Sequence, residues 1–400
     1  MSSFEEEFRT ATTAGPGQIT PGAVAIAADK TGKIHTLLSS GSTSTTKDSR
    51  PITPDSTFWI ASCTKLVTAI AIMQCVERGL VNLDDDISAH LPEWSHAEIL
   101  TGFDESTGEP LLKETTKKIT VRQLMTHSSG IGYDFISPDL KKWREWNKID
   151  SSKVGAGNIP LVVKMPLLFE PGQGWTYGHG IDWAGQIVER VNGNIPLGDY
   201  MKTHIWEPLG LKMTTFQPSQ HQAVLDALCS MTLKTPTGEL ISTSEFTNHN
   251  SQDAQGGGAL YSTPSEYIKI LVALLKNDGT LLKPETVNII FESQIPDDKY
   301  LIELATESPS ALLYTNGISK SQCKRWNYGL GGILNKEAVA GVANEGAMSW
   351  GGLPNLYWWI DPKGGHCGLY ASQLVPPMDM DSIALALAFR KEVFKQLSKQ

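Results

Sequence analysis

The chain has 400 residues, enough for one large domain or two intimate ones with an ample core. Hydrophobic residues make up 40% and charged residues 19%, a globular balance that excludes wholesale disorder. A net charge of −9 and a pI of about 5.5 argue against nucleic acid as the main partner, and no run reaches the roughly 18 apolar residues of a membrane span.

In chain order, Met1 to Phe8 is acidic and lacks the apolar centre of a signal peptide. Gly22 to Ala28 and Lys33 to Leu38 are strand-like and flank Asp29-Lys30-Thr31-Gly32, a hairpin signal. Thr57-Phe58-Trp59-Ile60-Ala61 leads into Ser62-Cys63-Thr64-Lys65, followed by the apolar run Leu66 to Met73 of a buried helix that ends near Arg78-Gly79-Leu80. From about 84 to 250 the pattern is short helices broken by Pro and Gly, with helical spacing over Asp182–Val191 and Tyr200–Trp206. Strand signals return at 355–360 and 368–371, either side of Asp361-Pro362-Lys363-Gly364-Gly365, and Ser382 to Gln400 reads as a closing amphipathic helix. There are no internal repeats and no flexible linker. The predicted fold class is α+β, an antiparallel sheet built from both chain ends, flanked by helices, with an all-helical lobe inserted. The expected division is a discontinuous sheet domain (1–83 and 251–400) and a helical insert (84–250), packed as one unit. Cys63, Cys75, Cys229, Cys323 and Cys367 are odd in number and scattered without a C-x-x-C pair; free thiols in a reducing compartment, hence a cytoplasmic location, are the expectation.

Ser62 and Lys65 carry the sharpest chemical signal. Residues three apart share a helix face, so the hydroxyl and the amine can meet. An amine in a dry site loses its charge easily and can then take a serine proton near neutral pH. The same S-x-x-K spacing recurs at Ser44–Lys47 and Ser321–Lys324, but both lie in polar stretches that do not exclude water. The bland alternative is that Ser62 merely starts a core helix.

Tyr177 sits on the Gly-flanked loop Glu170 to Gly180, where a tyrosine beside an ammonium shares its proton more readily; most tyrosines simply pack a ring and bond to backbone. In Ser349-Trp350-Gly351-Gly352-Leu353-Pro354-Asn355 two glycines let backbone approach a ligand, though a plain turn would look the same. Gln255-Gly256-Gly257-Gly258 lacks the spacing of a nucleotide loop and reads as structural. Nine histidines form no H-E-x-x-H or Cys/His cluster, so neither metal nor cofactor is expected, and the absence of G-x-S-x-G removes nucleophile-elbow hydrolases. His179 falls two residues after Tyr177, near the candidate site, and His127 reads as a capping or loop-bracing residue.

Taken in order, Phe58 to Lys65, Gly79 to Asp85, Ile119 to Gly130, Pro171 to Tyr177 and Trp206 to Leu211 resemble the serine β-lactamase and penicillin-binding superfamily, on its class C and esterase side. The resemblance implies Ser62 as nucleophile, with Lys65 and Tyr177 completing the catalytic set, and the backbone N–H groups of Ser62 and Leu353 as the oxyanion hole. Two departures stand out. Trp350-Gly351-Gly352 replaces the family's K-T-G, removing the cation for a β-lactam carboxylate, and Tyr177-Gly178-His179 replaces Y-x-N. Both make β-lactam hydrolysis improbable and resemble esterases and acyltransferases of this fold.

Within that branch, Trp350 to Asn355, Trp358 to Asp361 and Gly364 to Pro377 resemble fungal polyketide acyltransferases of the lovastatin side-chain transferase type. Such enzymes move a short acyl group from a carrier-protein or coenzyme A thioester to a secondary alcohol of a polyketide. The partners so implied are an acyl thioester donor and a small-molecule alcohol acceptor, with no nucleic acid and no membrane. Trp350, Gly351, Gly352, Tyr133 and His179 are the expected substrate-binding residues, and Phe135, Trp358 and Trp359 lie in adjoining segments. A carboxylesterase using the same residues is the alternative, and a non-enzymatic binding protein the third. Lys141 to Lys148 is a basic stretch in an acidic chain: either a dock for an acidic carrier protein or a solvated helix face with two packed tryptophans.

Overall fold

The fold is described from a computed structural model, for residues 3–150, 158–244 and 253–397. Its centre is a seven-stranded sheet of β1 (Gly22–Asp29), β2 (Ile34–Gly41), β3 (Trp326–Tyr328), β4 (Ile333–Asn335), β5 (Met348–Gly352), β6 (Leu356–Asp361) and β7 (His366–Ala371). The spatial order is β2-β1-β7-β6-β5-β4-β3, and every neighbouring pair is antiparallel. Pairing of β1 with β7 joins the two ends of the chain, as expected from the sequence. The hairpins β1–β2 and β6–β7 fall where the turn residues placed them.

Both faces of the sheet are covered, so its central strands read as continuous apolar runs rather than alternating ones. Successive side chains still point to opposite faces. Ala23, Ala25, Ala27, Tyr357 and Trp359 pack under the terminal helices Ser3–Thr12 and Met380–Leu397, beside Phe4, Phe8 and Phe389. Val24, Ile26, Ala28, Trp358 and Ile360 face the main core, which includes the helices Thr64–Glu77 and Pro264–Lys276. Trp359 lies opposite Gly368 on β7, where a Cβ would come within 2.2 Å of the indole; the pair fits only because one side chain is absent. Trp358 and Trp359 are therefore core residues on opposite faces.

Thr64 to Cys75 of the helix Thr64–Glu77 are all buried, so it is a central helix enclosed on every side rather than a surface one. Gly79, with φ of +67°, ends it just past the Arg78 cap, as the sequence suggests. Among its described residues, the segment 84–250 carries more helix than strand but is not all-helical as expected. Glu98–Phe103 pairs with Pro110–Glu114, and Met231–Lys234 pairs with Leu240–Thr243 and, in parallel, with Leu374–Val375. The first hairpin turns on Asp104, whose carboxylate accepts from the N–H groups of Ser106 and Thr107 at 2.9 and 2.8 Å. Its signal lay in that Asp-Glu-Ser-Thr-Gly run. The helix at Tyr200–Trp206 forms as an α-helix over Leu197–Met201 that passes into a π turn over Lys202–Trp206. The boundary expected near residue 250 and residues 398–400 of the expected closing helix lie outside the described residues. Among those described, no helix is long and apolar enough to cross a membrane, and the five cysteines are buried free thiols.

Candidate active site

Ser62 sits in the single 3-10 turn Ala61–Cys63, which feeds directly into the helix carrying Lys65. Ala61 holds φ of +43°, a region non-glycine residues avoid, so the turn is locally strained and aims the Ser62 hydroxyl out of the helix start. Lys65 is fully buried and its Nζ donates to Ser62 Oγ at 3.1 Å, Tyr133 OH at 3.1 Å and the Gly257 carbonyl at 2.5 Å. Burial pulls the Lys65 amine down to about 8, with the Asp182 charge opposing the shift.

Tyr177 approaches Ser62 from the other side: its hydroxyl donates to Ser62 Oγ at 2.6 Å and accepts from Trp350 Nε1 at 3.3 Å. The ring lies 4.7 Å from Lys65 Nζ. Burial raises the Tyr177 phenol well above its ordinary value, although the bonds to Ser62 and Trp350 pull the other way. At neutral pH Tyr177 is thus a neutral phenol, and the easily discharged group is Lys65. The phenolate tendency expected from the nearby ammonium is outweighed by desolvation.

β5 brings its C-terminal edge against the Ser62 turn. A Cβ at Gly352 would lie 2.5 Å from the Ile60 carbonyl oxygen, so only glycine permits this approach. Ser62, Gly351, Gly352 and Leu353 consequently share the wall of one cavity of about 490 Å³. Its apolar lining comes from Trp59, Phe135, Ile136, Leu313, Tyr314 and Met378, with Phe135 and Ile136 exposed at the rim and Tyr314 buried. Trp350, Tyr133, Tyr177 and His179 also line it, so all the expected binding residues gather here. Phe135 joins them, 67% exposed at the rim, whereas Trp358 and Trp359 do not.

His179 faces Asp182 through Nδ1, 2.9 Å from Oδ2, and presents its ring to Tyr133 at a centroid distance of 4.3 Å. His127 braces the tyrosine loop, but not as a helix cap. Its carbonyl accepts from Thr176 N–H at 3.0 Å, and its buried ring stands edge-on to Tyr177 at 4.8 Å. The helix Val121–Met125 is capped by Thr126 instead. Burial and the Lys65 charge hold the His127 imidazole well below its ordinary range, hence neutral.

Two readings need correction. The loop at 256–258 belongs to the site, because the Gly257 carbonyl holds Lys65 and Gly257 and Gly258 line the cavity. The basic stretch 141–148 is not a uniform charged face. Arg144 is buried and paired with Asp134 at 2.7 Å, and Lys142 lies over the Phe103 ring at 3.9 Å. Of its two tryptophans, Trp143 is half-buried while Trp146 is 47% exposed. Sequence reasoning also missed Asp182, one helical turn past His179, and Leu313, Tyr314 and Met378, which reach the cavity from remote segments without any motif. No group of His, Cys, Asp and Glu able to hold a metal occurs among the described residues.

A serine between a buried amine and a phenol, under an apolar cavity, defines a serine acyl-transfer enzyme. The family profile described as Beta-lactamase matches residues 8–390, and the chain belongs to that family. It is 35% identical to lovastatin esterase of Penicillium rubens over 94% of this chain and 95% of that protein. It is 34% identical to monacolin J acid methylbutanoyltransferase of Aspergillus terreus over 94% of this chain and 92% of that protein. The unliganded simvastatin synthase structure from Aspergillus terreus, as its selenomethionyl derivative, superposes with a TM-score of 0.91 at 32% identity, covering 99% of this chain and 98% of that one.

Proposed function

We propose that this chain is an acyltransferase that carries a short acyl group from a thioester, through an acyl-Ser62 intermediate, to a hydroxyl of a polyketide-type molecule. The observation that carries the reading is Ser62 Oγ, 3.1 Å from Lys65 Nζ and 2.6 Å from Tyr177 OH, on the wall of an apolar cavity of about 490 Å³. Neutral Lys65 has two N–H groups, which match the Gly257 carbonyl and Tyr133, and one lone pair, which faces the Ser62 hydroxyl. Ser62 Oγ attacks the thioester carbonyl as its proton passes to Lys65, and the N–H groups of Ser62 and Leu353 hold the oxyanion. The C–S bond breaks, the thiolate takes the proton back through Tyr177, and the acyl-serine remains. An alcohol then enters and loses its proton along the same path, and its oxygen forms the new ester bond as Ser62 recovers its hydrogen. An apolar acceptor filling the cavity gains rate by proximity and keeps water out.

The donor is a coenzyme A or carrier-protein thioester. With Arg144 buried, only Lys141, Lys142 and Lys148 of the basic stretch remain to meet an acidic carrier. A carboxylesterase is the second reading, supported by the 35% identity to an esterase over 94% of the chain. Intact-protein mass after incubation with short acyl thioesters separates them. A Ser62-dependent adduct that persists in water and clears on adding a polyketide alcohol is the transferase result; equal clearance in water alone is the esterase result.

A further inference from the structure

Asp182 is a buried carboxylate in the first turn of the helix Gly180–Val191, 3% exposed, with both oxygens engaged. Oδ2 faces His179 Nδ1 at 2.9 Å, and Oδ1 accepts from the Gly257 N–H at 2.8 Å. The carbonyl of that same glycine accepts from Lys65 Nζ at 2.5 Å. The carboxylate presses so closely on Gly257 that a Cβ there would sit 2.6 Å from Oδ2 and 2.8 Å from Oδ1. We propose that Asp182 is a positioning residue for Lys65: it clamps Gly257 so that its carbonyl aims at Nζ, and it supplies the buried counter-charge for the ammonium formed when Ser62 gives up its proton. The inference rests on the acyl-serine reading above.

The surroundings leave Asp182 as the charge that matters. From its own helix start Lys65 feels Cys63, whose thiol burial pushes far up. From the loop at 127 it meets His127, held neutral by burial and by Lys65 itself. Tyr133 and Tyr177 face it as phenols raised by burial, and His179 stands behind, against Asp182. Burial pushes the Asp182 carboxyl up, but the His179 bond and charge, the Lys65 charge and the Gly257 N–H together hold it below the usual carboxylate range. Among these groups Asp182 is the carboxylate, and its charge raises Lys65 against the pull of burial.

The sign of the effect is set by that field. Active Lys65 is the neutral amine, so acylation rises with pH through the Lys65 value, about 8, and levels above it. Neutralising Asp182 makes the ammonium costlier, so the rising limb moves to lower pH while the weaker base lowers the plateau. The test is the pH dependence of Ser62 acylation by a p-nitrophenyl short-chain ester and an acyl-N-acetylcysteamine thioester, followed as the pre-steady-state burst. In Asp182→Asn, which preserves shape, the limb is expected about one pH unit lower and the plateau roughly tenfold down. Gly257→Ala, whose Cβ would displace the carboxylate, provides a second variant with a shift in the same direction. A limb that stays at the wild-type position in both, with loss equal at every pH, overturns the proposal and leaves the acyl-serine reading intact. Acylation persisting in Ser62→Ala, or no acylation of the wild type by either donor, overturns that reading instead.

Discussion

The floor and the mouth of the cavity are built on opposite principles. On the floor, Ser62, Lys65, Tyr177, Tyr133 and Gly257 are tied by hydrogen bonds of 2.5 to 3.1 Å, with Lys65 fully buried. At the mouth, Phe135, Ile136, Leu313 and Met378 present apolar side chains, with Phe135 and Ile136 67% and 46% exposed. A closed polar network holds one geometry, because each broken bond leaves a buried group unsatisfied. An exposed apolar rim tolerates exchange, because few packed neighbours depend on it. Under the proposed function, reaction type resides in the floor, and the choice of acyl group and acceptor in the rim.

Substitutions along this axis should sort by depth. Ser62→Ala should abolish the acyl adduct and lower kcat by on the order of 10⁴-fold or more, since the residues of such a set act as one unit. If Ser62→Ala retained turnover, the floor would not be the reaction centre. Next, Tyr177→Phe keeps the ring on His127 and removes the hydroxyl, and kcat should fall about 10²- to 10⁴-fold with little change in KM. Gly352→Ala forces the edge of β5 away from the Ile60 carbonyl and displaces Leu353. About 10²-fold in kcat is expected for a shift on the order of 1 Å. An unchanged kcat in that variant would separate Leu353 from oxyanion stabilisation. The smallest effect belongs to the rim: Phe135→Ala should raise KM for a large apolar acceptor several-fold, about 1 kcal/mol, while donor-only acylation stays the same. Equal loss with and without acceptor would place Phe135 in the donor's path.

Much of this was legible in the chain. Lys65 meets Ser62 through one helical turn, a distance fixed by local geometry. The apolar run after it encodes burial, and burial is what brings the amine near neutrality. The hairpins β1–β2 and β6–β7 carry their own turn residues. Strand alternation puts Trp358 and Trp359 on opposite faces, but that neither reaches the cavity was settled only by the fold.

Other features required the folded chain. Gly257 lies 192 residues beyond Lys65, and no local pattern shows that its carbonyl faces Nζ. Arg144 appears among lysines in the sequence yet turns inward to Asp134, because one face of its helix is buried and the other is not. The phenol of Tyr177 was expected to share its proton with a nearby cation; desolvation by the surrounding aromatics reversed that balance. Helices, turns and the Ser62–Lys65 pair depend on neighbours a few residues apart, so the amino-acid order is enough to specify them. The counter-charge of Lys65, the close approach of Gly352 and the shape of the rim depend on which distant segments the sheet and core bring into contact, and only packing decides that.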